Sequence, residues 1–99
     1  MKDLIERSYE AIKDRGLINK DTLIIDFVNK LKEEVSEIEE LCDKNGLVRF
    51  VDMEKFLNEW SDAMSVCFNF FTHYSVDIEN IFKSNVEKNE TRAKKTLSK

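Results

Sequence analysis

No proline and only two glycines occur in 99 residues. A sheet of this length would need turn residues every 8–12 positions, and two glycines cannot supply them. Long helices joined by short turns need no more than this. The chain is therefore predicted to be all-α, and its length permits one domain with a modest core.

Hydrophobic periodicity gives four helices. The first runs over 2–15, with Leu4, Ile5, Tyr9 and Ile12 on one face, and stops at Gly16. The second runs over 22–43 on a stripe from Ile24 through Phe27, Leu31, Val35 and Ile38 to Cys42, with Asp21 or Thr22 as its cap. The third, over 53–74, is capped by Asp52 and carries Met53, Phe56, Leu57, Trp60, Met64, Cys67, Phe71 and Tyr74. A fourth covers 78–93. Residues 1–93 are thus expected to form one domain, and 94–99 a basic, frayed tail.

The apolar arc of the third helix widens from Ala63 to Phe71, taking in Val66, Phe68 and Phe70. A helix apolar on most sides is buried on most sides. So short a chain cannot cover it alone, and a homodimer or homotetramer is expected. Trp60 could stack on an aromatic ligand such as a nucleobase, but at the centre of the stripe it reads as core.

Acid and base are unevenly spread. Residues 1–82 carry 10 Lys/Arg against 18 Asp/Glu, and residues 83–99 carry 6 against 2. Acidic and basic segments can serve opposite ends of one ligand, metal at one and phosphate at the other. No apolar run approaches a membrane span. The N-terminal stretch has no signal-like apolar region, and Cys42 and Cys67 sit in helical apolar rows as reduced core residues. A cytoplasmic protein with neither membrane nor stable nucleic-acid partner is expected.

The stretch DKNGLVRFVDME, residues 43–54, invites comparison with a calcium loop. Asp43, Asn45 and Glu54 fall at ligand positions 1, 3 and 12, but Leu47 occupies position 5 and Val48 the glycine position 6. It reads instead as the connection between two helices.

The carboxylates are more informative. Within EEVSEIEE, residues 33–40, Glu34 lies about 60° and Glu37 about 120° from the centre of the apolar stripe, while Glu33 and Glu40 point away. Glu34 and Glu37 form an i, i+3 pair at the border of the buried face, with Lys30 in the same row. Glu59 and Asp62 repeat the arrangement on the third helix, in a row continued by Val66 and Asn69. Four carboxylates drawn together repel unless cations occupy the cluster. All-oxygen ligands suit Mg²⁺ or Mn²⁺.

Competing chemistries find less support. Di-iron bundles need Glu-x-x-His on two helices, whereas the single histidine, His73, follows Phe70 and reads as a capping or surface residue. Neither cysteine has a histidine near it in sequence, and no phosphate-cradling glycine loop is present.

KLKEEVSEIEEL followed by NEWSDAMSVCFNFF resembles the MazG-like superfamily of all-α nucleoside triphosphate pyrophosphohydrolases, marked by E-x-x-E and then E-x-x-D. Here these are Glu34-x-x-Glu37 and Glu59-x-x-Asp62, 21 residues apart. The similarity spans residues 17–92 and includes the K-x-x-E-E-x-x-E context of Lys30 and Glu33. The closing segment VDIENIFKSNVEKNETR places Lys88, Asn89 and Arg92 where relatives have Lys, Asn and Arg. Asn85 stands where many relatives have a further lysine, leaving Lys83 or Lys88 to contact phosphate.

The resemblance implies a four-helix MazG-like fold completed by oligomerisation. It also implies Mg²⁺-dependent hydrolysis of a (d)NTP to monophosphate and pyrophosphate. Glu34, Glu37, Glu59 and Asp62 would hold metal, with Glu33 behind them. Glu34 or Glu37 would orient or deprotonate the attacking water. Lys30, Lys88, Asn89 and Arg92 would meet phosphate; no base-binding residue carries over. The alternative reading is a non-enzymatic helical module that binds a partner protein.

Overall fold

In the structure, a computed structural model describing residues 1–97, the chain is all-helical. Helix α1 spans Lys2–Asp14, α2 Ile24–Glu40, α3 Met53–His73 and α4 Ile78–Leu97, with a short 3-10 turn at Phe50–Asp52 ahead of α3. Helices α1 and α2 both pack on α3, so α3 is the spine of the molecule.

The helix ends follow local chemistry. Gly16 takes φ +76°, and the amides of Gly16 and Leu17 donate back to Lys13 and Ile12 carbonyls, closing α1 as only glycine does cheaply. Neither Asp21 nor Thr22 caps α2. Asn19 and Thr22 are spent on the preceding turn, where the Asn19 amide donates to Thr22 Oγ1 at 2.9 Å and the Asp21 amide to Asn19 Oδ1 at 2.8 Å. Leu23 occupies the cap position, and its amide donates to the Asp26 carboxylate at 2.8 Å. Asp52 does stand at the head of α3, but its side chain makes no capping bond.

The 43–54 connection is stapled by its own acid. Asp43 Oδ1 accepts the amides of Asn45 at 2.8 Å and Leu47 at 3.0 Å, while Gly46 turns the chain at φ +77°. Its calcium-like spelling is loop chemistry.

Helix α3 ends differently. Ser75 sits at φ 53°, where the Val76 amide donates to Phe71 O at 2.8 Å. A left-handed residue with a Cβ costs about 1 kcal/mol relative to glycine. Ser75 is exposed, so Ser75→Gly is expected to raise the thermal midpoint by roughly 4–8 °C. A differential scanning measurement showing no rise would remove the strain assignment.

The core is thin. Among the described residues its buried apolar side chains are Ile18, Phe27, Ile38, Ala63 and Val66, and no large side chain is wholly inaccessible. An aromatic cluster ties the three packed helices together. Phe27 of α2 meets the rings of Phe70 and His73 of α3, and of Tyr74 just beyond its end, at centroid distances of 5.7, 5.3 and 6.0 Å. Tyr9 of α1 is hydrogen-bonded to His73 Nδ1 at 2.8 Å. His73 is therefore neither cap nor surface residue but a half-buried junction between α1 and α3.

Two further expectations are corrected. Cys42 is exposed rather than core, and both cysteines are free. Trp60 is 54 % exposed. Each lies in an apolar row, but the rest of the chain does not cover that part of the row. Helix α4 also runs to Leu97, four residues beyond the expected boundary, so residues 94–97 of the predicted tail are helical; residues 98–99 lie outside the described residues. Among the described residues no helix is long and apolar enough to cross a membrane.

Candidate metal centre

The antiparallel pairing of α2 and α3 sets Glu34 opposite the Glu59–Asp62 turn. Glu34, Glu59 and Asp62 each offer a carboxylate oxygen, all within 4.8 Å of one another. The three are graded in depth: Glu34 is buried, Glu59 half-buried and Asp62 exposed. The cluster therefore opens to solvent on the Asp62 side.

The helical periodicity of α2 explains Glu34. It falls between Phe27 and Ile38, the other two buried residues of the helix, so the apolar contacts that seat α2 on α3 carry Glu34 inward with them. Glu33, Glu39 and Glu40 face water, and Glu37 is half-buried. Glu37 is not one of the three clustered carboxylates. Glu37 shares the helix face of Glu34 but lies about 60° further round and nearly a turn along the axis, and the tight contact goes to Glu34.

Lys30 lies one turn before Glu34. Its Nζ is 3.2 Å from Glu34 Oε1 and 3.4 Å from Glu33 Oε2. The hydrogen bond to Glu34 holds the Lys30 ammonium above its ordinary value of 10.5, with the Glu33 charge adding to it and burial opposing. A raised lysine value stabilises the fold fully below 10.5 and loses that contribution only as pH climbs through the raised value. Lys30 thus stays charged throughout the physiological range.

That single lysine leaves most of the negative charge unanswered. Glu34 Oε2 and Glu59 Oε2 are buried and have no hydrogen-bond partner. A buried carboxylate oxygen with no donor costs more than a kilocalorie, on the order of 1–3 kcal/mol. Two such oxygens on adjoining helices, in residues whose carboxylates cluster, are what a hard divalent cation satisfies. At metal–oxygen bonds of ~2.1 Å, the ligand oxygens of an octahedral ion stand about 3.0–4.2 Å apart, so three oxygens within 4.8 Å of one another are near enough to close on one ion. The donor set is all oxygen and open on one side, which fits Mg²⁺ or Mn²⁺ keeping several waters.

The remaining expected residues lie elsewhere. Lys88, Asn89 and Arg92 are exposed on α4, and Asn89 Nδ2 donates to Asn85 Oδ1 at 3.4 Å. Among the described residues no ion pair joins α4 to the clustered carboxylates. Sequence reasoning placed Asn69 in the Glu59–Asp62–Val66 row without giving it a role. It is 5 % exposed and its Oδ1 has no partner among the described residues. Its depth follows from that row, but seven residues along α3 put it about 10 Å from Asp62, outside the cluster.

The fold and site together define an all-α chain with a three-carboxylate cluster between two antiparallel helices. The chain matches no family model, and no curated protein or solved structure shows significant similarity to it.

Proposed function

We propose that the chain is a MazG-like, Mg²⁺-dependent nucleotide pyrophosphohydrolase, cleaving a (d)NTP to the monophosphate and pyrophosphate. The observation that carries the reading is the pair of buried, partnerless oxygens of Glu34 and Glu59 beside Asp62. The burial of Glu34 speaks for a ligand-binding cluster over a solvated acidic face, because a buried carboxylate oxygen is not left without a partner in a helix interface without cause.

In this reading Glu34, Glu59 and Asp62 hold the ion, with Mn²⁺ as a possible replacement. Bound there, the cation neutralises phosphate charge and stabilises the leaving pyrophosphate. Glu37, half-buried one turn beyond Glu34, has a carboxylate free to orient the attacking water and take its proton, the role it shares with Glu34 in the expectation above. Lys30, with Glu33 behind it, holds Glu34 in place through its 3.2 Å contact. Its remaining donor can then meet a phosphate oxygen. Lys88, Asn89 and Arg92 supply further phosphate contacts once α4 is brought to a site.

The test is a panel of canonical and modified nucleotides assayed for pyrophosphate with Mg²⁺ or Mn²⁺. Release from at least one of them, abolished by chelation, is expected. No turnover across the panel with either metal would overturn the reading.

A further inference from the structure

We propose, on the nucleotide reading of the carboxylate cluster, that Asn69 recognises the base: its buried Oδ1 accepts an N–H from the edge of a nucleobase whose phosphates lie at Glu34, Glu59 and Asp62. Asn69 is 5 % exposed, and its Oδ1, like one oxygen each of Glu34 and Glu59, is buried without a hydrogen-bond partner. Among the described residues these are the only buried side-chain oxygens in that state. A metal ion answers the two carboxylate oxygens. It does not answer the third, which belongs to a neutral side chain about 10 Å along α3 from Asp62.

Asp62 and Asn69 are a heptad apart, within ~20° of the same side of α3. Val66 stands between them and His73 one turn beyond, so a single row runs from the carboxylates to the Tyr9–His73 hydrogen bond. A nucleotide has the length for that row. From its α-phosphorus to the far edge of its base is roughly 10 Å, several bonds of ~1.5 Å and one ring. With the phosphates on the metal, the base falls level with Asn69. The half-buried rings of Tyr9 and His73 then give a flat heterocycle a wall to pack against.

The orphaned atom sets the chemistry of the ligand. An amide oxygen takes a donor, so the base presents an N–H: the amino group of cytosine or adenine, or the ring N–H of uracil, thymine or guanine. Asn69 Nδ2 can donate to the acceptor that neighbours such a group on each of these edges. Inorganic triphosphate offers no such edge and gains nothing from Asn69. Helix α1, which packs on α3 and meets the row at His73, is the cover to be moved. It has no buried residue, so displacing it costs little. The hydrogen bond missing from the empty protein is made on binding, and a base without the N–H leaves it unmade.

The side-chain amide of Asn69 reports on the contact directly. Its magnetic resonance signals, identified by their loss in Asn69→Leu, are followed in the isotope-labelled full chain. The probes are nucleosides and their α,β-imido triphosphates with Mg²⁺, and the controls are ribose phosphate and inorganic triphosphate. The signals are expected to move with at least one nucleoside or imido triphosphate and with neither control. Methylating that base so that it loses its N–H is expected to weaken binding at least about tenfold. Asn69→Leu is expected to weaken binding of the unmethylated probe to the same extent, with helicity kept; Asn69→Ala replaces it if helicity is lost. Signals that stay still with every probe, or a methylated base that binds as well as its parent, overturn the proposal. Movement of the signals in a chain that releases no pyrophosphate keeps the base contact and sinks the hydrolase reading. Turnover with signals that stay still sinks the base contact alone.

Discussion

Glu59→Gln and Asp62→Asn are each expected to abolish turnover while leaving the chain folded and, without metal, no less stable than the wild type. The expectation follows from the geometry of the cluster. Three carboxylates within 4.8 Å have one lysine between them, and that lysine is on the Glu34 side. Making one of them neutral removes repulsion worth on the order of 1 kcal/mol after solvent screening. It also removes a ligand. Loss of a residue that merely supports a metal ligand typically costs 10–100-fold, so loss of the ligand itself is expected to cost at least about a hundredfold in kcat/KM. Denaturant midpoints measured beside the rates separate the two effects. Rates that fall in step with stability would mean that the carboxylates act structurally.

Phe27→Ala should be the most damaging single change to the fold. Phe27 is 6 % exposed and touches three rings at the C-terminal end of α3, one of which, His73, is tied to α1 through Tyr9. Removing a buried phenyl group costs about 3–5 kcal/mol, a large share of the 5–15 kcal/mol that a domain of this kind possesses. The effect reaches the site, because Phe27 lies two turns before Glu34 on the same face of α2 and fixes how α2 lies on α3. Urea unfolding should show the midpoint falling with the slope unchanged. A loss below 1 kcal/mol would mean that the aromatic cluster does not hold the helices together.

Much of this architecture is written in hydrophobic period and helix punctuation. The four helices lie within a few residues of where the apolar rows place them, and the angular position of Glu34 anticipates its burial. Glu37 shows the limit of that argument. A residue at the border of a stripe faces in or out according to the neighbouring helix, and here the neighbour meets Glu34.

Trp60 and Cys42 show a second limit. Periodicity tells which side of a helix is apolar, not whether the same chain covers it. Helix α3 is apolar on two sides, and only its contacts with α1 and α2 separate the side holding Val66 from the side holding Trp60. For the same reason the resemblance can suggest phosphate contacts for the basic residues of α4, while their position relative to the carboxylates is not readable from the sequence. Nothing in the spacing of Lys88 or Arg92 says where a helix without packing contacts will lie. His73 escaped for another reason: its partner Tyr9 is 64 residues away, beyond the reach of any local pattern.

The most direct test of the metal centre is the thermal midpoint of the metal-free chain, with and without Mg²⁺, compared with that of Glu59→Gln. An ion held at a hundred times its dissociation constant stabilises the folded chain by about 2.7 kcal/mol, a rise of roughly 10 °C or more for a domain this small. The wild type should show that rise, and Glu59→Gln should show little or none. Equal midpoints for the wild type with and without Mg²⁺ and Mn²⁺, or a rise of the same size in Glu59→Gln, would contradict the assignment of Glu34, Glu59 and Asp62 as a metal site.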